Sequence, residues 1–368
     1  MKMRVANIIT GLGIGGAEIY LRMVHEKFSS DDTEYYVYFF CCDRNHQVDS
    51  LRSLGVKVRC LGHPSKYDIR RFIVLHQALK RDKINLVHAH LPITAVYARL
   101  VCKVLDIPVV YTEHNEWSVY HPLTRMINYL TYRLNNKVIA VSDGVATSIL
   151  SKSVPVEVVN NGIDIDSLLC QLKCHSYNEA KSILKLPKGA FVVGNVANYT
   201  PKKNHVLLLK AFANFAVESS SKMPYLVLVG QFFGKKEEVY SLARNLNVAD
   251  RIRIIDGRQD AINFIRFFDV AVITSKQEGL PISMLEAMSL SKPIISTKVG
   301  GIPSVIRQNV EGFLVDMKES SIVEALICLS NSKEECDKMG HMAFKRVKES
   351  YTLSRASNEI EYVYKKLL

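Results

Sequence analysis

The sequence predicts two doubly wound α/β domains in tandem, each a parallel sheet covered by helices, on three observations. Short β-branched or aromatic runs alternate with longer stretches of helical period, the pattern of repeated βαβ units. These runs fall into two blocks separated by a polar stretch. The chain has 368 residues, 48% hydrophobic and 23% charged, an ordinary globular make-up at a length where one core usually divides.

In the first block, strands are expected at residues 4–9, 35–41, 56–61, 86–88, 109–112, 138–141 and 156–159. In the second they are expected at 191–196, 225–229, 251–256, 270–274, 293–297 and 313–315. The first domain is therefore placed at 1–160 and the second at 189–352. Residues 161–188, opened by the turn signal Asn160-Asn161-Gly162 and closed by Pro187-Lys188-Gly189, are expected to be an irregular linker and hinge. At the C-terminus, Ile360, Val363, Tyr364 and Leu367 recur at helical spacing, which predicts a helix with one apolar face over 353–368. Ligands of such sheets bind outside the carboxyl ends of the strands, so a cleft between the domains is the expected site.

A net charge of +12, spread over both halves of the chain, points to anionic small molecules or lipid and away from a basic nucleic-acid arm. The charge is densest at residues 44–83, with 10 basic and 3 acidic side chains. There Ile69, Phe72, Ile73, His76 and Leu79 form an apolar stripe beside Arg70, Arg71, Lys80 and Arg81. Packing on the sheet is the expectation for the stripe, and the charge suggests an anionic membrane surface. No signal peptide is expected, and no apolar run approaches the roughly 20 residues of a membrane span. The eight cysteines contain no CxxC pair and are read as reduced thiols of a cytoplasmic protein. Cys170, Cys174 and His175 lack a second ligand pair, so no metal is expected.

Residues 11–16, Gly-Leu-Gly-Ile-Gly-Gly, follow the first strand and precede a helix. Glycines there let a phosphate or sugar approach the backbone, with Asp43 as the ribose-binding acid if the site were dinucleotide-binding. Glu278-Gly-Leu-Pro-Ile-Ser-Met-Leu-Glu286 follows the apolar strand 270–274, placing Glu278 in a loop and Glu286 on a helix. Each carboxylate has two acceptor oxygens, enough for a vicinal diol, and the helix start between them offers N–H groups to a diphosphate. Asn198-Tyr-Thr-Pro-Lys202-Lys203-Asn204-His205 follows the strand that opens the second block, where a lysine would neutralise a leaving diphosphate. His88 and His90 flank Ala89 at a strand end, and Glu113-His114-Asn115 follows the next strand. Positioned histidines or hydrogen-bonded structural ones both fit that pattern. Asp164-Ile-Asp166 spells DxD but falls in the expected linker.

Gly15-Gly16-Ala17-Glu18, Val87-His-Ala-His90, Asn161-Gly-Ile-Asp164, Pro201-Lys-Lys-Asn-His205, Glu278 with Glu286, and Gly300-Gly-Ile-Pro303, in that order, resemble the GT-B glycosyltransferases of family 4. These are retaining enzymes that use nucleotide-sugar donors. The resemblance implies two Rossmann-like domains, the second binding the donor (UDP- or GDP-linked) and the first the acceptor, with no cofactor or metal. It implies that Glu278 contacts the transferred sugar, Gly279, Leu280 and Pro281 line the donor, and Glu286 holds the ribose. Lys203 would stabilise the departing diphosphate, Gly15 and Gly16 would close over phosphate, and His114 would be the active-site histidine. His90, Glu113 and Asn115 are expected to face the acceptor, a saccharide on a lipid carrier in cell-surface polysaccharide assembly. The helix 353–368 would pack back on the first domain. The family's phosphate-binding Arg, five residues before the Lys, is Asn198 here, which places Asn198 at the donor but removes a bidentate contact. The competing readings are an NAD(P)-dependent oxidoreductase built on residues 11–16, a nucleotide-sugar epimerase of the same fold, and a non-catalytic binding protein.

Overall fold

A computed structural model of the chain describes residues 2–368 except 29–31, 64, 66, 175–176, 220–222 and 259, with the side chains at 173 and 174 also outside the described set. The chain divides into two compact units, Met1–Gly162 with Leu353–Leu368, and Ile163–Thr352.

The first unit holds β1 (Met3–Ile9), β2 (Thr33–Phe39), β3 (Lys57–Cys60), β4 (Leu86–His90), β5 (Val109–Glu113), β6 (Lys137–Ala140) and β7 (Val156–Val158). They form one parallel sheet in the order β3-β2-β1-β4-β5-β6-β7. The second unit holds β8 (Phe191–Val196), β9 (Pro224–Gly230), β10 (Ile252–Asp256), β11 (Val270–Ile273), β12 (Ile294–Thr297) and β13 (Gly312–Val315), parallel in the order β10-β9-β8-β11-β12-β13. Each expected strand is present. Parallel strands covered on both faces read as continuous apolar runs, and Val5, Ala6, Ile8 and Ile9 of β1 are fully buried. Each sheet reverses its strand order between its first and fourth strands, which puts one crevice at β1/β4 and another at β8/β11.

Residues 161–188 are not irregular. They carry the helices Ile165–Cys174 and Tyr177–Leu184, and the latter buries Ala180 and Leu184 within the second unit. Asp164, the first residue of the DxD, accepts a hydrogen bond from the Ser167 N–H at 3.2 Å, the geometry of a helix N-cap.

The helix Leu353–Lys365 belongs to the first unit. Ile360, Val363 and Tyr364 are buried, and Glu361 accepts a hydrogen bond from Tyr35 at 2.9 Å.

The reading of all eight cysteines as reduced thiols fails at one pair. Cys42 and Cys60 form a disulfide with Cα atoms 5.7 Å apart, because β2 and β3 pair in register up to Phe39 and Cys60. Cys174 and His175 lie outside the described side chains, and no metal-sized cluster of His, Cys, Asp or Glu occurs among the described residues. Nor is any described helix long and apolar enough to cross a membrane.

Candidate active site

Lys203 follows β8 and Glu278 follows β11, so the strand reversal brings together side chains 75 positions apart. Lys203 Nζ lies 2.5 Å from Glu278 Oε1, and Ser275 Oγ donates to the same oxygen at 2.6 Å. Glu278 is only 9% exposed. Its Oε2 has no hydrogen-bond partner among the described residues.

The two loops are tied independently of that pair. The Lys276 N–H donates to Lys202 O at 2.7 Å, and Thr274 Oγ1 to the carbonyls of Lys203 and Asn204 at 3.2 Å. From the other side, the Gly301 N–H donates to Gly279 O at 2.6 Å. Gly300, at φ 56°, is needed because a Cβ there would collide with the Glu278 carbonyl.

Pro281 is the N-cap of the helix Ile282–Ser289, which buries Ile282, Leu285 and Met288 and leads from Gly279 and Leu280 to Glu286. Burial pushes the Glu286 carboxyl up to about 7. Asn198 accepts a hydrogen bond from the Gln231 N–H at 3.1 Å, so its carbonyl oxygen braces the loop after β9. Lys202, the next cation in sequence, is exposed.

In the first unit, His114 is half-buried just past β5, and burial holds its pKa down at about 4. Its Nε2 lies 3.1 Å from His90 Nδ1, and His90 Nε2 lies 3.0 Å from Asn7 Oδ1. Both ring nitrogens of His90 are thus engaged within the first unit. Glu113, also expected at the acceptor, ends β5. It is fully buried, and its carboxylate accepts hydrogen bonds from Trp117 Nε1 at 2.7 Å and from the Tyr120 hydroxyl. Burial pushes it up to about 7 against the pull of those donors. Asn115 is half-exposed in the turn beyond.

Gly15 caps the helix Gly16–His25, and a Cβ at Gly16 would meet only open space. The rest of the glycine loop is covered by the segment after β2. Leu12 N–H donates to Arg44 O at 2.7 Å, and Gln47 Nε2 to Gly13 O at 3.3 Å. The expected ribose-binding Asp43 is exposed beside it.

Two family models match in sequence. "Glycosyltransferase Family 4" matches residues 14–167 and "Glycosyl transferases group 1" matches residues 176–346, between them most of the chain. This chain is a family 4 glycosyltransferase of the GT-B fold.

The glycosyltransferase is 25% identical over 304 residues to the UDP-Gal:α-D-GlcNAc-diphosphoundecaprenol α-1,3-galactosyltransferase of Escherichia coli, covering 77% of this chain and 76% of that one. It is 24% identical over 309 residues to the N-acetyl-α-D-glucosaminyl L-malate synthase of Bacillus anthracis, covering 81% and 79%. In fold it is similar to Anabaena HepE crystallised with UDP-glucose, at TM-score 0.85 and 18% identity, covering 99% of this chain and 100% of that one. The oxidoreductase reading is not favoured by this membership.

Sequence reasoning missed Asn7, His25 and Ser275. Asn7 did leave a signal, a lone amide between the apolar pairs Val5-Ala6 and Ile8-Ile9.

Proposed function

We propose that the glycosyltransferase moves a sugar from a UDP- or GDP-linked donor, with retained anomeric configuration and without a bound metal, to a hydroxyl of a lipid-linked saccharide in cell-surface polysaccharide assembly. The observation that carries this is the Lys203–Glu278 pair at the β8/β11 reversal. Glu278 Oε1 is saturated by Lys203 and Ser275, which leaves Oε2 to accept from sugar hydroxyls. The backbone of Gly279 and Leu280, with Pro281, lines the donor, and Glu286 takes the ribose diol. Lys203 and the start of the helix Ile282–Ser289 supply the positive field that a departing diphosphate needs. Gly15 and Gly16 approach phosphate, Asn198 braces the donor loop, and His114 and Asn115 face the acceptor side. In the transfer, the bond from the anomeric carbon to the phosphate oxygen breaks and the bond to the acceptor oxygen forms on the same face. The acceptor's proton passes to the departing phosphate. The lipid-linked acceptor is supported by the E. coli relative, whose own substrate is a diphosphoundecaprenol.

A thermal-shift panel of UDP, GDP, ADP, their sugar conjugates and NAD(P) tests this reading. One nucleoside diphosphate series is expected to stabilise the protein by about 2.7 kcal/mol at 100 times its dissociation constant, and Glu286→Ala should weaken that response. A response to NAD alone, unchanged in Glu286→Ala, would refute the donor assignment. NMR of the first-formed product checks retention.

The proposed setting is cytoplasmic, peripheral on the inner face of the cell membrane. The basic helix Arg70–Arg81 supports the membrane part in a corrected form. Arg71 is fully buried, with its guanidinium 4.4 Å from the Phe40 ring, and Leu75, Ala78 and Leu79 pack inward. Ile69 and Ile73, read as part of the packing stripe, are instead 75% and 58% exposed beside Arg70, Lys80 and Arg81. Anionic vesicles at low salt should retain the protein. Lys80→Glu with Ile73→Asp should release it, since each basic residue at such a surface is worth about 1 kcal/mol. Equal partition of the variant and the wild type would refute this surface.

A further inference from the structure

A buried chain of hydrogen bonds runs from a backbone carbonyl to His114. His25 Nδ1 lies 2.8 Å from Leu21 O, His25 Nε2 lies 3.3 Å from Asn7 Nδ2, and from Asn7 the chain continues through His90 to His114 Nε2. A carbonyl oxygen only accepts, so His25 must carry its proton on Nδ1. Burial holds His25 and His90 well below the ordinary histidine range, so each ring is neutral and has one proton to place. His25 Nε2 is then a lone pair, and only the Asn7 amide group can donate to it. That turns the Asn7 carbonyl oxygen toward His90 and requires the His90 proton on Nε2. His90 Nδ1 is then a lone pair, and His114 must donate to it from Nε2.

We propose that Asn7, His25 and His90 are positioning residues that lock His114 in its Nε2–H tautomer, leaving Nδ1 as an acceptor for a hydroxyl or amide N–H of the bound substrate. Nδ1 has no hydrogen-bond partner among the described residues, and His114 lines a small pocket within the first unit together with Asn7, His88 and His90. The assignment has chemical content, because a lone pair at that point favours a sugar hydroxyl and repels a phosphate or carboxylate oxygen. The neighbouring His88 makes the contrast. Its ring nitrogens lie 2.6 Å from the Tyr364 and Thr112 hydroxyls, and because a hydroxyl both donates and accepts, nothing directs its tautomer. The role for Nδ1 rests on the reading of His114 as the active-site histidine. The tautomer itself does not.

The test is NMR of the full-length protein carrying ¹⁵N- and ¹³C-labelled histidine, with the His114 signals assigned by their loss in His114→Gln. The expected wild-type spectrum shows His114 protonated at Nε2 and unprotonated at Nδ1. His25→Phe keeps a ring against Phe28 and Tyr35, which pack edge-on to His25, but frees the Asn7 amide to turn. It should give mixed tautomers at His114 and a kcat lowered about tenfold or more, with donor KM nearly unchanged. A wild-type His114 protonated at Nδ1 would overturn the proposal without any variant. So would a His25→Phe protein that keeps the pure Nε2–H form. Because the tautomer is read without substrate, an Nε2–H signal together with full activity of His114→Ala supports the relay and removes only the active-site role.

Discussion

Lys203→Ala is expected to lower kcat by about 10²–10³-fold, the cost of removing one preorganised donor from a site of developing negative charge. The structure explains why the loss should fall on kcat more than on donor binding. Lys203 is held against Glu278 Oε1 while its loop is independently pinned by Lys276 and Thr274, so truncation removes the charge and leaves the loop in place. Glu278→Gln keeps the size of the side chain but loses the charge that anchors Lys203, and a comparable loss is expected. Because Lys203 and Glu278 act as one unit, the double variant should be scarcely worse than either single one. The measurement is initial rate at saturating donor for the four proteins, with matched thermal midpoints as the folding control. A Lys203→Ala enzyme within threefold of wild type would remove the phosphate-stabilising role. Fully additive losses would remove the coupling.

Acidification from pH 6.5 toward 4 should unfold the first unit. Burial lowers His25 and His114 to about 4, His88 to about 3, and His90 well below its ordinary value, against about 6.5 in an unfolded chain. A depressed histidine contributes stability that is complete above its unfolded pKa and is lost as pH falls toward the folded value. Glu113 works in the opposite direction. Its folded pKa of about 7 exceeds the ordinary carboxylate value, so it favours the folded form at low pH and loses that contribution as pH rises through 7. Glu18 is also raised by burial. Four histidines against one or two carboxylates leave the unfolded state binding two to three more protons, a slope of about 3–4 kcal/mol per pH unit near pH 5. The chain has one tryptophan, and Trp117 is buried in this unit against Glu113, so its fluorescence reports the first unit alone. A red shift with a midpoint between pH 4 and 6 is the expected result. An emission maximum unchanged down to pH 4 would contradict the burial of neutral histidines.

The same two sites show how far local sequence reaches. Strands such as Val5 to Ile9 announce themselves because a parallel strand is apolar on both faces, and the Glu278–Glu286 spacing places one carboxylate in a loop and one on a helix from local geometry alone. The helices over 161–188 escaped notice because their polar faces resemble a linker until Ala180 and Leu184 find a surface to bury against. Arg71 was read as a membrane-facing charge because nothing in its own helix reveals the Phe40 ring that covers it.

Sequence by itself therefore determined the α/β class, the positions of the strands along the chain and the identity of the residues around each turn, since hydrophobic period and turn chemistry are short-range properties. Tertiary structure decided which of those residues meet. The strand reversal at β8/β11 joins Lys203 to Glu278, and the packing around β1 and β4 turns Asn7, His25 and His90 from scattered polar residues into supports for His114. The physical reason is that hydrogen bonds and ion pairs are fixed at distances near 3 Å by the crossing of distant segments, and no spacing along a single chain encodes such a crossing.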